Sequence, residues 1–185
     1  MLKRFTTKQL VFVALVGAAL FVIDLLVSGI SAATGVAGAG GLINAIFFVG
    51  LATIGGLVVK KFGSYTIMAF IYGVLAVPTL AFGPPGVHKI FLAILLGLIA
   101  DTVILLFRYR QIGYYFSLTI ANVLGLPVML FAFVYLGLPG ADALRQALWF
   151  LMGVYAVESV IGAWLGILLY NKKISKMGIV QQISD

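Results

Sequence analysis

The chain has 185 residues, of which 63% are hydrophobic and 9% are charged, and its mean hydropathy is +1.21. Soluble domains carry about 25% charged residues, so this composition predicts an integral membrane protein with a single transmembrane domain over residues 1–185. The formal net charge of +7 could suggest nucleic acid, but the basic residues form small clusters between apolar segments, which predicts no nucleic-acid partner.

Six apolar segments follow one another along the chain, approximately at 9–30, 42–59, 64–82, 88–107, 113–136 and 146–170. Each is close to the ~20 residues that a helix needs to cross the hydrocarbon core of a bilayer. The segments are continuously apolar and do not alternate, which argues against a strand barrel. The first one is also longer than the roughly 7–15 residues of a signal-peptide core. The sequence therefore predicts an all-α bundle of six transmembrane helices, with the first helix retained.

The basic residues predict the orientation of these helices. If the N-terminus is cytoplasmic, ten of the 12 Lys and Arg residues lie inside, and only Lys89 and Arg145 lie outside. Because positive charge accumulates in cytoplasmic loops, both termini are expected to be cytoplasmic, in a multi-pass protein of the plasma membrane. The outer connections, at 31–41, 83–89 and 137–146, are longer than the inner ones and predict a lid over a pocket that opens outward.

Small residues recur four positions apart, a spacing that lets another helix approach closely. In the first helix, Ala14 and Ala18 form such a face, and we expect it to bind a partner protein. The alternative is that this face packs against the chain's own helices. Five other pairs are expected to serve packing within the bundle: Ala52/Gly56, Ala69/Gly73, Ala93/Gly97, Ala121/Gly125 and Gly162/Gly166.

The residues of most enzyme sites are missing from the chain. It has one histidine and no cysteine, which excludes a two-histidine zinc motif, a Cys–His pair, disulfides and thiolate chemistry. It has no GxxxxGK phosphate-binding run, and the glycines at 38, 40 and 41 do not complete a dinucleotide fingerprint. We therefore expect a protein that is not an enzyme, holds no metal or cofactor and does not hydrolyse ATP by itself.

Polar residues within the apolar segments are the remaining candidates for chemistry, because each is costly at bilayer depth unless it is paired or hydrated. These residues are Asp24, Asn44, Asp101, Asn122 and Glu158. Asn122, Tyr155 and Glu158 could converge on a pocket in the outer half of the bundle. Trp149 would add an aromatic wall above them. The alternatives are that Asn122 and Glu158 only join helices by hydrogen bonds, and that Trp149 belongs to the interfacial aromatic belt.

The other charged residues allow more than one interpretation. Asp101 lies deep on the predicted cytoplasmic side and is expected to be structural or conformational. Asp24 could pair with Lys89, contact a ligand or serve as a hydrated anchor, and no spacing rule chooses among these roles. His88 and Lys89 begin the fourth segment on the outer side, where they could be interface residues or could offer a cation to a ligand carboxylate.

The chain resembles the substrate-binding S components of energy-coupling factor (ECF) transporters, which are vitamin-uptake relatives of ABC importers. Six predicted helices in 185 residues and termini on one side carry this resemblance. The resemblance also rests on the Ala14–Ala18 face behind a basic start (KQLVFVALVGAAL), on the first outer loop and on the segment GLIADTVILLF. The resemblance covers nearly the whole chain.

The resemblance implies a vitamin-binding pocket that opens outward, is built largely from helices four to six and is closed by the first outer loop. It also implies that the Ala14–Ala18 face docks on a transmembrane T subunit, which two cytoplasmic ATPases drive. The S component would topple in the membrane and carry its ligand inward. By position, the implied pocket residues are Asn44, His88, Lys89, Asn122, Trp149, Tyr155 and Glu158. No vitamin-specific pattern names the ligand.

A different class of function is also open. Asp24, Asp101 and Glu158 could form the proton relay of a self-sufficient secondary carrier or channel. Against this, the two halves of the chain show no inverted repeat or broken-helix pair. An intramembrane enzyme is a third possibility, for which the residue inventory is poor.

Overall fold

The computed structural model describes residues 4–34, 41–79, 84–138 and 140–184, and this part of the chain forms helices without any strand. The long helices are α1 (Thr7–Thr34), α2 (Gly41–Val59), α3 (Ser64–Ala76), α4 (His88–Leu106), α5 (Gln111–Tyr135) and α6 (Ala141–Lys172). A short 3₁₀ turn at Ile174–Lys176 precedes a last helix, α7 (Gly178–Ser184).

Among the described residues, four helices are long and apolar enough to cross a membrane: Thr7–Val27, His88–Leu106, Gln111–Tyr135 and Ala141–Lys176. The apolar parts of α2 and α3, Asn44–Val59 and Ser64–Ala76, are shorter. Large apolar side chains such as Leu15, Phe91 and Phe131 are exposed, as expected for a surface that meets lipid. The prediction of an all-α membrane protein is confirmed, whereas six spans and cytoplasmic termini stay predictions.

The six long helices close into a ring. Going round it, α1 packs on α3, α3 on α4, α4 on α5, α5 on α6, α6 on α2, and α2 packs back on α1. The order around the ring differs from the order in the chain, because α2 lies between α1 and α6 rather than beside α3. Each helix therefore has two principal neighbours, and the inward faces of all six surround a common interior.

Glycine allows helices of this ring to approach each other closely. A Cβ atom at Gly162 of α6 would lie 2.6 Å from the carbonyl oxygen of Ile46 in α2. A Cβ atom at Gly97 of α4 would lie 2.7 Å from the Cα atom of Thr66 in α3. Both distances are too short for non-bonded atoms, so neither helix pair could keep its present separation with a larger residue. The packing role predicted for Gly97 and Gly162 is confirmed.

The buried carboxylate of Asp101, in α4, holds the N-terminus of α3. Gly63 precedes α3 and provides no side-chain cap. The carboxylate accepts hydrogen bonds from the backbone N–H groups of Tyr65 (3.2 Å) and Thr66 (2.9 Å) and from the Thr66 hydroxyl (2.7 Å). It thus satisfies N–H groups that have no partner within the helix, and its charge suits the positive end of the helix dipole. This is a structural role, as the sequence predicts for Asp101.

Lys89, also in α4, holds the opposite end of α3. Its side chain is fully buried, and its ammonium group donates hydrogen bonds to the carbonyl oxygens of Ala76 (3.0 Å) and Thr79 (2.7 Å). The separation of Lys89 and Asp101 in sequence corresponds to about 18 Å along a helix, close to the roughly 20 Å length of α3. The two helices therefore run antiparallel, and the charge spacing on α4 matches the length of α3.

The end of α3 and the start of α6 differ most from the predicted segments. α3 ends at Ala76 rather than near residue 82, because Pro78 has no backbone N–H and cannot continue the helix. α6 begins at Ala141 rather than at 146, directly after Gly140, whose φ of 92° lies in the left-handed region. The helix therefore begins before the apolar run does, and its first turn contains Asp142.

The predicted lid lies partly outside the described residues, at 35–40, 83 and 139. The first outer connection is also shorter than predicted, because α1 continues to Thr34 and α2 begins at Gly41. A role of these connections in covering a pocket stays a prediction.

Gln9 joins three parts of the chain at one end of the bundle. It forms a capping box with Thr6: the Thr6 N–H donates to Gln9 Oε1 (3.1 Å), and the Gln9 N–H donates to Thr6 Oγ1 (3.3 Å). Gln9 Nε2 donates to the carbonyl oxygen of Ile183 in α7 (2.8 Å), and Lys61 Nζ donates to Gln9 Oε1 (2.7 Å). The start of α1, the link between α2 and α3, and the C-terminal helix therefore meet at the same end.

Candidate ligand cavity

The ring of helices surrounds a cavity of about 470 Å³, and all six long helices contribute to its lining. Small-molecule pockets typically measure roughly 300–1,000 Å³. The walls are mostly apolar, with residues such as Leu20, Phe48, Met68, Leu118 and Met129. The polar residues of the described lining are Asp24, Asn44, Tyr65, Tyr72, Asn122 and Tyr155. The cavity is thus suited to a small molecule that is largely apolar and carries a few polar groups.

Small residues on α4 and α5 provide room for this cavity. Ala93, Gly97 and Ala100 lie three and four residues apart in α4 and therefore share one face. Ala121 and Gly125 lie one turn apart in α5 and also line the cavity. A leucine at Ala121 would fill part of the space, whereas a leucine at Gly97 would collide with the backbone of α3. The small residues therefore provide volume, in addition to the close packing that the sequence predicts for them.

Asp24 lies where α1, α2 and α3 meet the cavity. It is 7% exposed, and its carboxylate oxygens accept hydrogen bonds from the Asn44 amide nitrogen (2.5 Å) and the Tyr72 hydroxyl (2.6 Å). An ionised carboxylate has about four lone-pair positions, so capacity for further donors is left. The Asn44 Oδ1 atom is buried and has no hydrogen-bond partner in the described part of the chain. Asp24 therefore lies on the cavity wall with part of its acceptor capacity unused.

Asn122 and Tyr155 line the wall that α5 and α6 form. The Asn122 Nδ2 atom donates a hydrogen bond to Oγ of Ser159 in α6 (2.9 Å). The two interpretations of Asn122 therefore coexist, because one donor of its amide joins two helices while the residue also faces the cavity. Tyr155, one turn before Ser159, lines the cavity as well. The structure thus brings Asn44, Asn122 and Tyr155 together around one interior space.

Glu158 and Trp149 lie on another side of α6 and border a shallow depression, not the cavity. Trp149 is 80% exposed, whereas Glu158 is buried and its Oε2 atom has no hydrogen-bond partner among the described residues. On a helix, Trp149 is rotated roughly 120° and Glu158 roughly 60° away from Tyr155. The structure therefore separates both residues from the cavity that Tyr155 lines.

His88 and Lys89 do not line the cavity either. The ammonium group of Lys89 is engaged at the C-terminus of α3, as described above. The His88 ring lies edge-to-face against Phe133 of α5, with ring centroids 6.5 Å apart. The structure gives Lys89 a position that stabilises the fold and does not present it as a cation to the cavity.

Ala14 and Ala18 are half-buried, at the edge of the inward face of α1. Between them, Gly17 makes a close contact with α3: a Cβ atom there would lie 2.6 Å from the carbonyl oxygen of Met68. Leu15 beside them is exposed. The small-residue stretch is therefore divided, with Gly17 packed against the chain itself while Ala14 and Ala18 remain partly accessible to another helix.

Asp24, Asn44 and Tyr72 form a polar cluster, and Tyr72 is the member that the sequence analysis does not predict. It lies 48 positions from Asp24 in the chain, and a tyrosine within an apolar segment is ordinarily interpreted as a core or interfacial residue. The signal that the sequence offers for Tyr72 is its spacing from Tyr65. Tyr65 and Tyr72 are seven residues apart, which places them on one face of α3, and both line the cavity.

Comparison of the chain with protein-family models, with curated proteins and with solved structures gave no match. Within the described residues, no three His, Asp or Glu side chains come together in a way that could hold a metal ion. Fold and cavity together define the class: an all-helical membrane protein with a largely apolar internal cavity and a polar cluster on its wall.

Proposed function

We propose that this protein is the membrane-embedded substrate-binding subunit of an importer for a vitamin or a related small molecule, as its resemblance to ECF S components implies. In this proposal it spans the plasma membrane six times and has both termini in the cytoplasm. The observation that carries the proposal is the cavity of about 470 Å³ inside the ring of helices. Its size and its mixed lining suit a small molecule that must be kept apart from the hydrocarbon of the bilayer.

The position of the polar cluster supports a pocket that loads from outside. Asp24 follows Gln9 by about 22 Å along α1, and Gln9 marks the end of the bundle where the two ends of the chain meet. The cluster of Asp24, Asn44 and Tyr72 therefore lies toward the opposite end. If the termini are cytoplasmic, this end faces outward, where an importer receives its ligand.

Transport in this proposal needs partner proteins, because the chain has no phosphate-binding sequence of its own. A transmembrane T subunit would pack on the Ala14–Ala18 face, and two cytoplasmic ATPases would drive it. The partial exposure of Ala14 and Ala18 supports this role, since a helix can approach closely only where small side chains stay uncovered.

The arrangement of the acids favours a binding subunit over a self-sufficient proton-coupled carrier. A relay through Asp24, Asp101 and Glu158 would require all three carboxylates to exchange protons with a common path. Asp101 instead caps α3 through three hydrogen bonds, and Glu158 does not line the cavity. Uptake into proteoliposomes that contain this protein alone would support the carrier and contradict the proposal.

A cavity-filling substitution tests the proposed site. Mass spectrometry of the purified protein identifies the small molecule that it carries, and Ala121→Leu should reduce the affinity for that molecule by about tenfold or more. Ala121 is buried and lines the cavity, whereas Ala132, in the same helix, is half-buried outside it. Ala132→Leu should therefore bind as the parent does. If a folded Ala121→Leu variant also binds like the parent, the cavity is not the ligand site.

A further inference from the structure

We propose that the ligand of this cavity carries a positively charged hydrogen-bond donor, such as an ammonium or amidinium group, which binds the carboxylate of Asp24. The rest of the ligand is apolar or aromatic, to match the cavity walls. This inference rests on the proposed function, because it names the class of ligand for the same cavity.

The charge of the cavity wall carries the argument. Asp24 is the only acidic or basic side chain in the described lining. It is 7% exposed, and its two hydrogen-bond donors, Asn44 and Tyr72, are both neutral. Burying a carboxylate among neutral groups is costly, and a bound cation offsets that cost. The cavity therefore favours a cationic ligand over a neutral one, and a neutral ligand over an anionic one.

Lys89 attracts Asp24 electrostatically but is not placed to act as its counter-ion inside the cavity. Its ammonium group donates to the carbonyl oxygens of Ala76 and Thr79. These carbonyls lie at the C-terminus of α3, where the helix dipole is negative. Lys89 does not line the cavity. Its charge is thus directed to the end of α3, and the cavity side of Asp24 is left for a ligand.

The groups beside Asp24 are rich in hydrogen-bond acceptors. Asn44 Oδ1 is buried and has no partner among the described residues. Tyr72 donates its one hydroxyl proton to Asp24 and therefore offers no donor to a ligand. A protonated amine has up to three N–H donors and no acceptor, so it matches a site that offers acceptors and no donors. A ligand carboxylate would meet the like charge of Asp24 instead.

An aromatic side chain also lies beside the cluster. The Phe48 ring packs edge-to-face against Tyr72, with ring centroids 5.3 Å apart, and it lines the cavity. Phe48 therefore adds aromatic surface to the part of the cavity beside Tyr72, which suits the aromatic or apolar body of the ligand.

Three probes with one body and different charges test the inference. At neutral pH, 4-phenylbutylamine is cationic, 4-phenylbutan-1-ol is neutral and 4-phenylbutyrate is anionic. We expect the full chain in nanodiscs to bind the amine at least about tenfold more tightly than the alcohol, and the acid least tightly. Competition with each probe for the ligand that copurifies, or equilibrium dialysis of the probes themselves, gives the affinities.

The variant Asp24→Asn should lose the preference and bind the amine no more tightly than the alcohol. An asparagine oxygen can still accept from the Tyr72 hydroxyl, so the fold should survive the change. Asp142→Asn is the matched control, because Asp142 is an exposed acid at the start of α6, and it should behave like the parent. Each probe partitions into the nanodisc lipid to the same extent whichever variant is present. The ratio of its affinities for variant and parent is therefore independent of that partitioning.

The outcomes separate this inference from the proposed function. Equal affinity of the parent for amine and alcohol, no binding of the amine, or an unchanged preference in Asp24→Asn would each overturn the cationic ligand. If Ala121→Leu still weakens the binding of the probes in such a case, the cavity remains the ligand site and the proposed function survives. Probe binding that Ala121→Leu leaves intact would instead reject the cavity itself.

Discussion

Replacing Asp101 by alanine should destabilise the protein strongly, because its fully buried carboxylate holds the start of α3. The substitution leaves the backbone N–H groups of Tyr65 and Thr66 without this acceptor. An unsatisfied buried donor costs about 1–3 kcal/mol, so the two together should lower the free energy of unfolding by about 2–6 kcal/mol. Loss of the negative charge at the helix N-terminus adds about 0.3–1 kcal/mol. Asp101→Asn keeps one acceptor oxygen and should lose about half as much.

Reversible unfolding of the purified protein in mixed micelles, titrated with sodium dodecyl sulfate and followed by circular dichroism, measures these differences. Asp142→Ala is the control, because Asp142 lies in the first turn of α6 but is exposed. Its loss should cost only about 0.3–1 kcal/mol. If Asp101→Ala unfolds at the same detergent fraction as Asp142→Ala, the hydrogen bonds at the start of α3 do not stabilise the fold and the reasoning fails.

Three further outcomes are expected. Lys89→Met should lower the melting temperature by more than Lys89→Arg does, because only arginine can still donate to the carbonyls at the end of α3; equal losses would contradict this. Ala14→Trp and Ala18→Leu should abolish uptake and copurification with a T subunit while ligand affinity stays unchanged, since both residues lie at the edge of the bundle. If ligand affinity is lost together with copurification, this face packs within the chain. A cysteine at the exposed Val87 should react with an impermeant reagent added outside cells, and one at Lys60 should not. The reverse pattern would show that the protein has the opposite orientation in the membrane.

Much of the fold could be predicted from hydropathy alone. The segments predicted at 42–59, 88–107 and 113–136 match α2, α4 and α5 closely, because lipid requires long apolar helices whose backbone groups are satisfied internally. The end of α3 was missed although Pro78 lies in the sequence, since a hydropathy pattern continues through an apolar proline. The order of helices around the ring was not predictable, because it depends on which glycine faces which backbone.

The site was predictable in part. Asn44, Asn122 and Tyr155 line the cavity, and each could be found as a polar group within an apolar segment. The pairing of Asp24 with Tyr72 could not, because it joins residues 48 positions apart. Proximity in sequence suggests that Trp149 shares a pocket with Tyr155, but the rotation of α6 turns the two side chains in different directions.

The ring contains two helix pairs that resist separation. Pulling α3 away from α4 would strip both Asp101 and Lys89 of their partners at once, and α2 and α6 are held by backbone contact at Gly162. The helix between these pairs on one side, α1, is also joined to α3, by backbone contact at Gly17 and by the hydrogen bond from Tyr72 to Asp24. If the cavity opens to a ligand, α1, α3 and α4 should therefore move as one rigid unit and α2 with α6 as another. Such a motion would break the hydrogen bond between Asn44 and Asp24.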